Sequence, residues 1–543
     1  MLPRPRISPV LLSITVLISL PVVPLPTVLA QSNALHVMRP QRPPTDDESF
    51  TRMFPDLPPF APPTDESREQ AKQLGRQGGP IDALDLLSDP IQSILNPAVF
   101  SPHNPDNPAM PAGMTFFGQF LDHDLTLDLK SPLLARSDPR RTRNFRTAAF
   151  DLDSLYGDGP QGSPELYDQA TGDFKFRVDA LPGAEAVSRK GAARFDLPRD
   201  AQLNAIIGDS RNDENIVIAQ FHLAMLRFHN AVVDGLRAAP SMTTRAPMPL
   251  FEEARRLVRW HYQWIILHEF LPLTIGQDRV DDLLRQGPRH YRLDRRERSG
   301  PFRNTTGDPM IPVEFSVGAY RFGHSQVRPS YRLNFGPDGR PPVFAFVFDD
   351  AIDPNLADPD DLRGGKRAPR RFVDWQTFFD FGDGNVRPNK RIDGKISTPL
   401  MLLPGSRAAA PGLPSDGVQS LASRNLMRHV NFGLPSGQAI ARTIGAPVLT
   451  PAQLAEAAPY GMDRSTPLWF YILKEAEVME QGARLGLVGS RIVGEVFIGL
   501  LRADEQSYLS ARPQWTPTLP SAKPGDFRIT DLLSFAGVVP PLQ

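Results

Sequence analysis

The sequence predicts a mainly α-helical fold in one large domain, with long loops between the helices and little β-structure. Apolar residues recur at helical spacing in several segments, whereas the alternating pattern of strands is scarce. Proline accounts for 58 of 543 residues, about twice its average usage, which is typical of long connecting segments. The predicted helices span residues 114–127, 215–236, 250–273, 466–481 and 490–504.

The composition is that of a globular protein and excludes several functional classes. Hydrophobic residues make up 41% of the chain and charged residues 22%. The 60 Lys and Arg residues balance 61 Asp and Glu residues, so no net field would attract nucleic acid or an acidic membrane. The chain has no cysteine, which excludes disulfides, cysteine-bound zinc, iron–sulfur clusters and thiol nucleophiles. Any metal must therefore be held by histidine, carboxylates, carbonyls or an organic cofactor.

Residues 1–30 have the pattern of a secretory signal peptide. Arg4 and Arg6 form a positive start, residues 10–20 are an apolar run too short to span a bilayer comfortably, and Ala30 ends a small-residue cleavage site. An uncleaved membrane anchor is the alternative, and no later stretch looks apolar enough to cross a membrane. We therefore expect a secreted or periplasmic protein with no stable membrane insertion after cleavage.

Residues 31–65 are rich in proline and weakly patterned, and we interpret them as an N-terminal arm or linker. The sequence shows no internal repeat. Because the well-patterned segments all follow this arm, we expect residues 66–543 to form one large domain.

The first group of candidate site residues lies on the predicted helix 114–127. Gln119 and His123 are four residues apart, and Gln119 and Asp122 are three apart, so all three share one helix face. Asp124 is turned by about a quarter of a circle from His123. The segment can therefore direct a base, an amide and a carboxylate into a cavity, although a helix end with ordinary solvated charges is the alternative.

Residues 118–124 (GQFLDHD) resemble the distal-histidine motif of the animal haem peroxidases, in the peroxidase–cyclooxygenase superfamily. The resemblance implies the helical fold of that family, with long loops, and a role for each polar residue. His123 would be the distal acid–base group, Gln119 would lie near the halide site, and Asp122 would form an ester with a haem methyl group. Asp124 would bind calcium.

A second element, residues 147–153 (TAAFDLD), places oxygen-bearing groups at alternating positions in a loop. Such a loop suits a hard cation that takes six to eight oxygen ligands, although an Asp-rich turn is the simpler alternative. The resemblance implies a calcium site, because the family closes its site with such a loop. Its ligands would be Asp124, Thr147, the Ala149 carbonyl, Asp151 and Asp153.

A third element, residues 208–214 (GDSRNDE), resembles the catalytic-arginine motif of the same family. Arg211 would be the distal arginine, which stays charged and can stabilise charge that develops as the O–O bond breaks. Glu214 would be the second ester-forming carboxylate; without the resemblance, the two would be read as a surface ion pair. Some members carry a methionine after this glutamate and link it to the haem. Asn215 stands here instead, so we expect no such bond and poorer chloride oxidation.

A fourth element resembles the proximal-histidine motif, with His324 as the iron ligand and Arg321 near a haem propionate. Asn425 would accept a hydrogen bond from the proximal imidazole, which stabilises high-valent iron, and Arg428 would meet a propionate. Residues 429–433 (HVNFG) depart from the family pattern. The other candidate histidines form two pairs at a spacing of seven, which we interpret as core residues: His222 with His229, and His261 with His268.

The four motifs together imply a secreted haem peroxidase with haem b, ester-linked through Asp122 and Glu214, and calcium. It would act as a monomer, reduce hydrogen peroxide and oxidise halides, thiocyanate or phenolic donors through a ferryl haem. One alternative is a haem fatty-acid dioxygenase, but its radical tyrosine would stand where Arg321 stands, and Tyr320 is one position away. The other alternative is an adhesion or matrix protein on a peroxidase fold, which would be expected to lose the catalytic residues.

Overall fold

The computed structural model describes residues 49–95, 101–170, 172–238, 246–293, 309–340, 342–404 and 417–539. Helices dominate these residues and the strands are short, which confirms the predicted mainly α fold. The predicted signal peptide and residues 31–48 of the predicted arm lie outside the described residues.

The longer α-helices form the framework that carries the site. They are α1 (Asp65–Leu74), α2 (Gly113–Leu125), α3 (Ile216–Ala238), α4 (Pro247–Ile265), α5 (Gln277–Gln286), α6 (Leu421–Phe432), α7 (Gly437–Ile444), α8 (Leu468–Glu480), α9 (Leu487–Ala503) and α10 (Ile529–Phe535). Short α-helical turns lie at Gln92–Leu95, Asp153–Tyr156, Gly159–Gly162, Leu271–Ile275, Gly323–Gln326 and Tyr508–Ala511. The 3-10 segments of four or more residues are Ser210–Asp213, Ala319–Phe322, Thr398–Met401 and Pro451–Tyr460, and π-helical turns span Ile266–Phe270 and Glu314–Gly318.

The strands of the described residues form antiparallel two-stranded pairs. β1 (Asp106–Pro111) pairs with β6 (Pro388–Lys390), β2 (Asp179–Ala180) with β3 (Phe195–Asp196), and β4 (Ser330–Asn334) with β5 (Val343–Phe346). In β1 and β6, Asp106 lies opposite Lys390. These pairs connect loops to the helical framework, and β4 and β5 bury Tyr331, Leu333 and Ala345 in the main core.

All five predicted helices are present, with ends that differ by a few residues. The prediction for residues 250–273 ended the helix near Pro272, whereas the helical path continues to Ile275. A proline has no N–H and so cannot donate to the carbonyl four residues earlier, that of His268. Arg528 Nη1 donates to this carbonyl instead, at 2.7 Å, which allows the helix to continue through a π-helical turn.

The main hydrophobic core takes side chains from residues 50 to 536. Residues 49–64, which we interpreted as the end of a surface arm or linker, contribute the buried side chains of Phe50, Met53, Phe54 and Phe60 to this core. The carboxylate of Glu314 accepts hydrogen bonds from the backbone N–H groups of Met53 and Phe54, at 2.9 and 3.2 Å. This part of the arm therefore packs inside the fold, because burial removes its large apolar side chains from water. The domain boundaries stay a prediction.

Helix α3 is long and apolar enough to cross a membrane by length and composition, which our sequence prediction did not anticipate. Most of its apolar stretch is buried by the surrounding helices, as in the central helix of a core. Asn215 begins the helix, since its Oδ1 accepts hydrogen bonds from the backbone N–H groups of Val217 and Ile218 at 3.1 and 3.0 Å.

Candidate active site

Many separate stretches of the chain contribute to the walls of one cavity of about 810 Å³. Pockets that enclose small-molecule ligands have volumes of roughly 300–1,000 Å³. Much of the wall is apolar, including Phe50, Phe270, Val313 and Leu400. The predicted site residues that line it are Gln119, Asp122, His123, Arg211, Glu214, Arg321, His324 and Arg428.

Helix α2 brings the distal residues together as its periodicity predicts. Gln119, Asp122 and His123 all line the cavity, while Asp124 is fully buried on another side of the helix. Phe117, Phe120 and Leu121 anchor the opposite face in the core. The helix is thus fixed by its apolar face, and its polar face is presented to the cavity.

His123 is placed to act as a neutral base. Burial, and then the charge of Arg211, lower the pKa of His123 to about 4, so the imidazole is uncharged near neutral pH. Its Nδ1 lies 2.8 Å from Oδ1 of Asn212, which can accept the Nδ1–H hydrogen bond. The other ring nitrogen, Nε2, then carries the lone pair that can take a proton.

Arg211 is held against the distal helix by a buried carboxylate. Asp209 accepts hydrogen bonds from Nε of Arg211 at 3.1 Å and from its Nη2 at 2.8 Å, and Nη2 also donates to the carbonyl of His123 at 3.0 Å. Burial alone would raise the pKa of Asp209, but the charges of Arg211 and Arg146 outweigh it and hold that pKa far below its ordinary value. Asp209 therefore stays ionised and fixes the guanidinium in place.

Glu214 and Gln119 meet across the cavity wall. The amide nitrogen of Gln119 donates to the carboxylate of Glu214, and Nδ2 of Asn215 donates to Oε1 of Gln119 at 3.4 Å. Glu214 has exposed surface that faces the cavity. The surrounding protein nevertheless removes water from its carboxyl group, which raises the pKa of Glu214 to about 7. Asn215, which stands where some members of the resembled family carry a methionine, thus caps α3 and also contacts Gln119.

Asp122, the other predicted ester-forming residue, lines the same cavity. Its Oδ1 accepts a hydrogen bond from the hydroxyl of Thr126 at 3.0 Å. Asp122 and Glu214 therefore present carboxyl groups to the cavity from two different elements, one from α2 and one from the segment before α3.

Three of the predicted calcium ligands form an acidic cluster beside the distal helix. Carboxylate oxygens of Asp124, Asp151 and Asp153 lie within 4.8 Å of one another. Burial raises the pKa of Asp124 well above its ordinary value, and the charges of Asp153 and Asp151 raise it further. Thr147 joins the cluster, since its backbone N–H donates to Asp153 at 3.1 Å and its hydroxyl donates to Asp151 at 2.8 Å. Carboxylates that repel one another in this way are suited to a bound cation.

Sequence reasoning missed two residues that orient Asp124. The hydroxyl of Ser154 donates to Asp124 Oδ1 at 3.0 Å, and the hydroxyl of Tyr262 donates to Oδ2 at 3.2 Å. Ser154 follows directly on the predicted loop and could have been found from that position. Tyr262 lies 138 residues from Asp124 on α4, and nothing in its own pattern separates it from a core residue.

The residues predicted for the proximal side, His324 and Asn425, lie in contact. His324 lines the cavity, and its Nδ1 lies 2.8 Å from Nδ2 of Asn425, which is 101 residues away on α6. Burial, and then the charge of Arg321, lower the pKa of His324 to about 3, so its imidazole is neutral. We expected Asn425 to accept a hydrogen bond, whereas its amide here presents nitrogen to the ring. Rotating the amide group by half a turn would exchange its oxygen and nitrogen, which are nearly equal in size. Asn425 would then accept the hydrogen bond from His324.

Two arginines of the predicted proximal side contribute to the same cavity as His324. Arg321 and Arg428 both line the cavity. Nη1 of Arg428 donates to the hydroxyl of Ser131 at 2.6 Å and lies 3.3 Å from the carboxylate of Asp128. Trp469 fixes the backbone of this region by donating from Nε1 to the carbonyl of Arg321, at 2.9 Å.

The departure from the family pattern at residues 429–433 does not interrupt helix α6. Nδ1 of His429 donates to the carbonyl of Asn425 at 2.7 Å, and Nε2 of His429 accepts a hydrogen bond from the backbone N–H of Trp469 at 3.1 Å. This buried histidine therefore connects α6 to the start of α8. Helix α6 ends at Phe432, and the φ of +58° at the next residue, Gly433, lies in the left-handed region that favours glycine.

The residues of the cavity fit a haem. A neutral imidazole at His324 can offer Nε2 to iron while Nδ1 is engaged by Asn425, a common arrangement for metal-binding histidines. Arg321 and Arg428 supply positive charge suited to propionates, and the apolar walls suit a porphyrin. His123 and Arg211 remain in the same cavity, free of any ligating role, and can act on a molecule bound there.

Comparisons with known proteins agree with this interpretation. Residues 129–342 match the family model described as animal haem peroxidase, and this stretch contains Arg211 and His324. The chain is 36% identical over 208 residues to a peroxidase-like protein of Margaritifera margaritifera, covering 37% of this chain and 24% of that protein. It is 28% identical over 318 residues to the chorion peroxidase of Drosophila melanogaster, covering 55% of this chain and 34% of the relative. The chain thus spans about a quarter to a third of the length of these relatives.

Two solved structures share the fold. Peroxidase A from Dictyostelium discoideum superposes with a TM-score of 0.52 at 16% identity, covering 87% of this chain and 90% of that structure. The fatty acid alpha-dioxygenase of Oryza sativa gives a TM-score of 0.50 at 13% identity, covering 85% and 82% of the two chains. At such low identity these likenesses concern the fold alone.

Proposed function

We propose that this chain is a haem-dependent peroxidase of the animal haem peroxidase type, which reduces hydrogen peroxide and oxidises small donors. The observation that carries the proposal is the convergence of His123, Arg211 and His324 on one cavity. These residues come from three distant parts of the chain, and each supplies a group that peroxide cleavage needs.

The distal residues would manage the protons and charge of the reaction. When bound, the haem would supply a redox-active iron at which peroxide is reduced. The neutral Nε2 of His123 would take a proton from hydrogen peroxide and return it to the departing oxygen, which leaves as water. Arg211, fixed by Asp209, would stabilise the negative charge that develops on that oxygen.

The remaining residues would hold the cofactor. His324 would bind the iron, supported by Asn425, while Arg321 and Arg428 would bind the propionates. Asp122 and Glu214 would form ester bonds to haem b, which is consistent with their positions on two elements of the cavity wall. Gln119, held by Glu214, would contact the small donor.

The donor would be a halide, thiocyanate or a phenol. Asn215 engages Gln119 and the first turn of α3, and it has no sulfur to bond to a haem. We therefore propose that chloride, the hardest of these donors to oxidise, is a poor substrate.

We also propose that calcium binds between the distal helix and the loop after it. Asp124, Asp151 and Asp153 would supply carboxylates, and Thr147 and the carbonyl of Ala149 would complete the site. The clustering of three acidic groups around the buried Asp124 supports this proposal. The bound ion would connect α2 to the loop.

The protein is proposed to work as a secreted or periplasmic monomer after removal of residues 1–30. Its substrates would be small molecules, with no nucleic-acid partner and no stable membrane insertion. The balanced charge of the chain, with 60 basic and 61 acidic residues, supports the first of these exclusions.

A fatty-acid dioxygenase is the second candidate, because Tyr320 lines the same cavity. Its hydroxyl donates to the carbonyl of Gly118 at 3.1 Å, and its ring stacks on Phe315 with centroids 4.8 Å apart. Uptake of oxygen with linoleate in the absence of added peroxide would favour this candidate. The third possibility, an adhesion or matrix protein, is not favoured by a cavity in which the catalytic set is complete.

The proposal is tested on the purified mature protein. We expect a Soret absorption band, haem that resists extraction with acidified butanone, and peroxide-dependent oxidation of guaiacol, iodide, bromide or thiocyanate. Chloride is expected to be the slowest of the anions. A protein without a Soret band, or one with haem that oxidises none of these donors, would contradict the proposal.

A further inference from the structure

Behind the distal histidine, a buried asparagine connects two imidazole rings. Oδ1 of Asn212 lies 2.8 Å from Nδ1 of His123, and Nδ2 of Asn212 lies 3.0 Å from Nδ1 of His222. Asn212 and His222 have no exposed surface, and His222 lies in the middle of α3. The family resemblance gave no role to either residue.

A primary amide has one accepting end and one donating end. An amide that bridges two Nδ1 atoms therefore requires that one of these atoms carries a proton and the other carries a lone pair. In the observed orientation, His123 is protonated on Nδ1 and His222 is not. The neutral imidazole of His222 must then hold its proton on Nε2.

We propose that Asn212 and His222 are positioning residues that set the tautomer of His123 and carry the complementary tautomer themselves. The inference rests on the proposed role of His123, because only the Nδ1–H tautomer leaves Nε2 free to accept a proton from peroxide. Asn212 makes this tautomer favourable by accepting the Nδ1–H bond. His222 keeps Asn212 in the required orientation by accepting from its amide nitrogen.

The surroundings of His222 support this arrangement. Burial lowers the pKa of His222 to about 3, so the ring is neutral and one of its nitrogens accepts. Its ring meets Phe120 of α2 in an edge-to-face contact, with centroids 6.1 Å apart. Nε2 of His222 has no hydrogen-bond partner among the described residues. The contact of Nδ1 with Asn212 is therefore the hydrogen bond that orients this ring.

The same helix offers a matched control two turns later. His229 is also fully buried on α3, and its Nδ1 lies 3.1 Å from the hydroxyl of Tyr156. His229→Phe and His222→Phe therefore remove the same group from the same kind of environment, but His229 has no contact with Asn212.

Neutron diffraction from deuterated crystals of the full protein tests the tautomers directly. We expect deuterium on Nδ1 of His123 and on Nε2 of His222. In Asn212→Asp, both ends of the bridge accept, so the deuterium of His222 is expected to move to Nδ1 while His123 is unchanged. Deuterium on Nε2 of His123 with a bare Nδ1, or the same tautomer in both wild-type rings, would overturn the proposal. This result does not depend on whether the protein proves to be a peroxidase.

Cyanide binding to the haem-loaded protein gives the functional counterpart, since hydrogen cyanide must lose a proton to a base when it binds iron. Loss of one neutral hydrogen bond is expected to slow cyanide association about tenfold in Asn212→Leu, and His222→Phe should slow it about threefold. Asn212→Asp retains the acceptor and should keep most of the rate. The cyanide association rate of His229→Phe should stay within about twofold of the wild-type rate, although this variant should lose about as much thermal stability as His222→Phe. Equal rates in His222→Phe and His229→Phe would overturn the role of His222.

Discussion

Asp209 binds Arg211 with both carboxylate oxygens, Oδ1 to Nε at 3.1 Å and Oδ2 to Nη2 at 2.8 Å. The same carboxylate also binds Arg146, whose Nη2 donates to Oδ2 at 2.6 Å. Arg146 lies 3.6 Å from Asp153 of the acidic cluster. A chain of ion pairs therefore runs from the proposed calcium site to Arg211, and Asp209 is the carboxylate between its two arginines.

Replacing this central carboxylate should weaken both the reaction and the fold. In Asp209→Asn, two guanidinium groups lose their buried partner, which should lower the free energy of unfolding by about 3 kcal/mol. Arg211 is then less well fixed, and we expect the rate of peroxide-dependent donor oxidation to fall about tenfold. Stopped-flow kinetics and denaturant unfolding measure the two effects. Asp374→Asn breaks the buried pair with Arg194, away from the cavity, and should lower stability without changing the rate.

His123→Gln should remove the proposed acid–base group and leave the cofactor bound. General acid–base catalysis contributes about a hundredfold to ten-thousandfold, so we expect a loss of that size in the rate of reaction with peroxide. The Soret band should remain, because His324 is intact. An unchanged rate in rapid-mixing experiments would reject the role of His123.

His324→Gly should remove the iron ligand while leaving the distal residues in place. We expect the purified variant to lack the ordinary Soret spectrum, and added imidazole to restore part of it by occupying the space of the lost ring. Gln326→Gly changes another buried cavity residue nearby and should retain the spectrum. A normal spectrum in His324→Gly would show that iron is bound elsewhere.

Asn425 should tune the reduction potential of the bound iron. For His324 to offer Nε2 to iron, its Nδ1 must carry the proton, so we expect the Asn425 amide to turn and present Oδ1 in the haem-loaded protein. Asn425→Asp strengthens the acceptor and should lower the ferric–ferrous potential, whereas Asn425→Leu should raise it. Spectroelectrochemical titration measures both shifts, and shifts of equal sign in the two variants would contradict the expected hydrogen bond.

Calcium should stabilise the protein through the acidic cluster. A ligand present at a hundred times its dissociation constant stabilises the folded state by about 2.7 kcal/mol, so EDTA should lower the melting temperature and calcium should restore it. In the Asp151→Asn, Asp153→Asn double variant, we expect calcium to change the melting temperature little. Asp360→Asn removes an exposed acidic group of a surface ion pair and should respond to calcium as wild type does. A wild-type protein whose melting temperature ignores both EDTA and calcium would reject the site.

Glu475 should make the stability of the fold depend on pH. Its carboxylate accepts hydrogen bonds from the backbone N–H groups of Val488 and Gly489, in the first turn of α9. Burial nevertheless raises its pKa from 4.5 to about 7. A carboxyl group with a raised pKa binds its proton more tightly in the folded protein than in the unfolded chain. Its contribution to stability is therefore fully present below its unfolded pKa and is lost as the pH rises through about 7.

The variant Glu475→Gln cannot ionise and should escape this loss. We compare the free energy of unfolding of this variant with that of wild type at each pH. The difference should shift in favour of the variant by about 3 kcal/mol as the pH rises from about 4 to about 8. Urea unfolding at several pH values measures the difference. Glu505 is exposed, so the free energy of unfolding of Glu505→Gln should differ from that of wild type by the same amount at every pH. A flat difference for Glu475→Gln would contradict the raised pKa.

Local sequence predicted the features that depend on neighbouring residues. The spacing of Gln119, Asp122 and His123 places them on one face of α2, because the turn of an α-helix is set by backbone geometry alone. The five predicted helices follow from the periodicity of their apolar residues for the same reason. Pro272 was misleading, because the loss of its hydrogen bond is compensated by Arg528, which lies far along the chain.

The sequence by itself determined which chemical groups are available: the imidazoles of His123 and His324, the guanidinium of Arg211, and the absence of any thiol. Tertiary packing alone decided which of them meet. Arg211 lies 88 residues from His123, and Asn425 lies 101 residues from His324. The bridge from Asn212 to His222 and the buried carboxylate of Asp209 arise only when α2, α3 and the segment between them pack together. Burial of apolar surface drives that packing, and it acts on the whole chain rather than on any one motif.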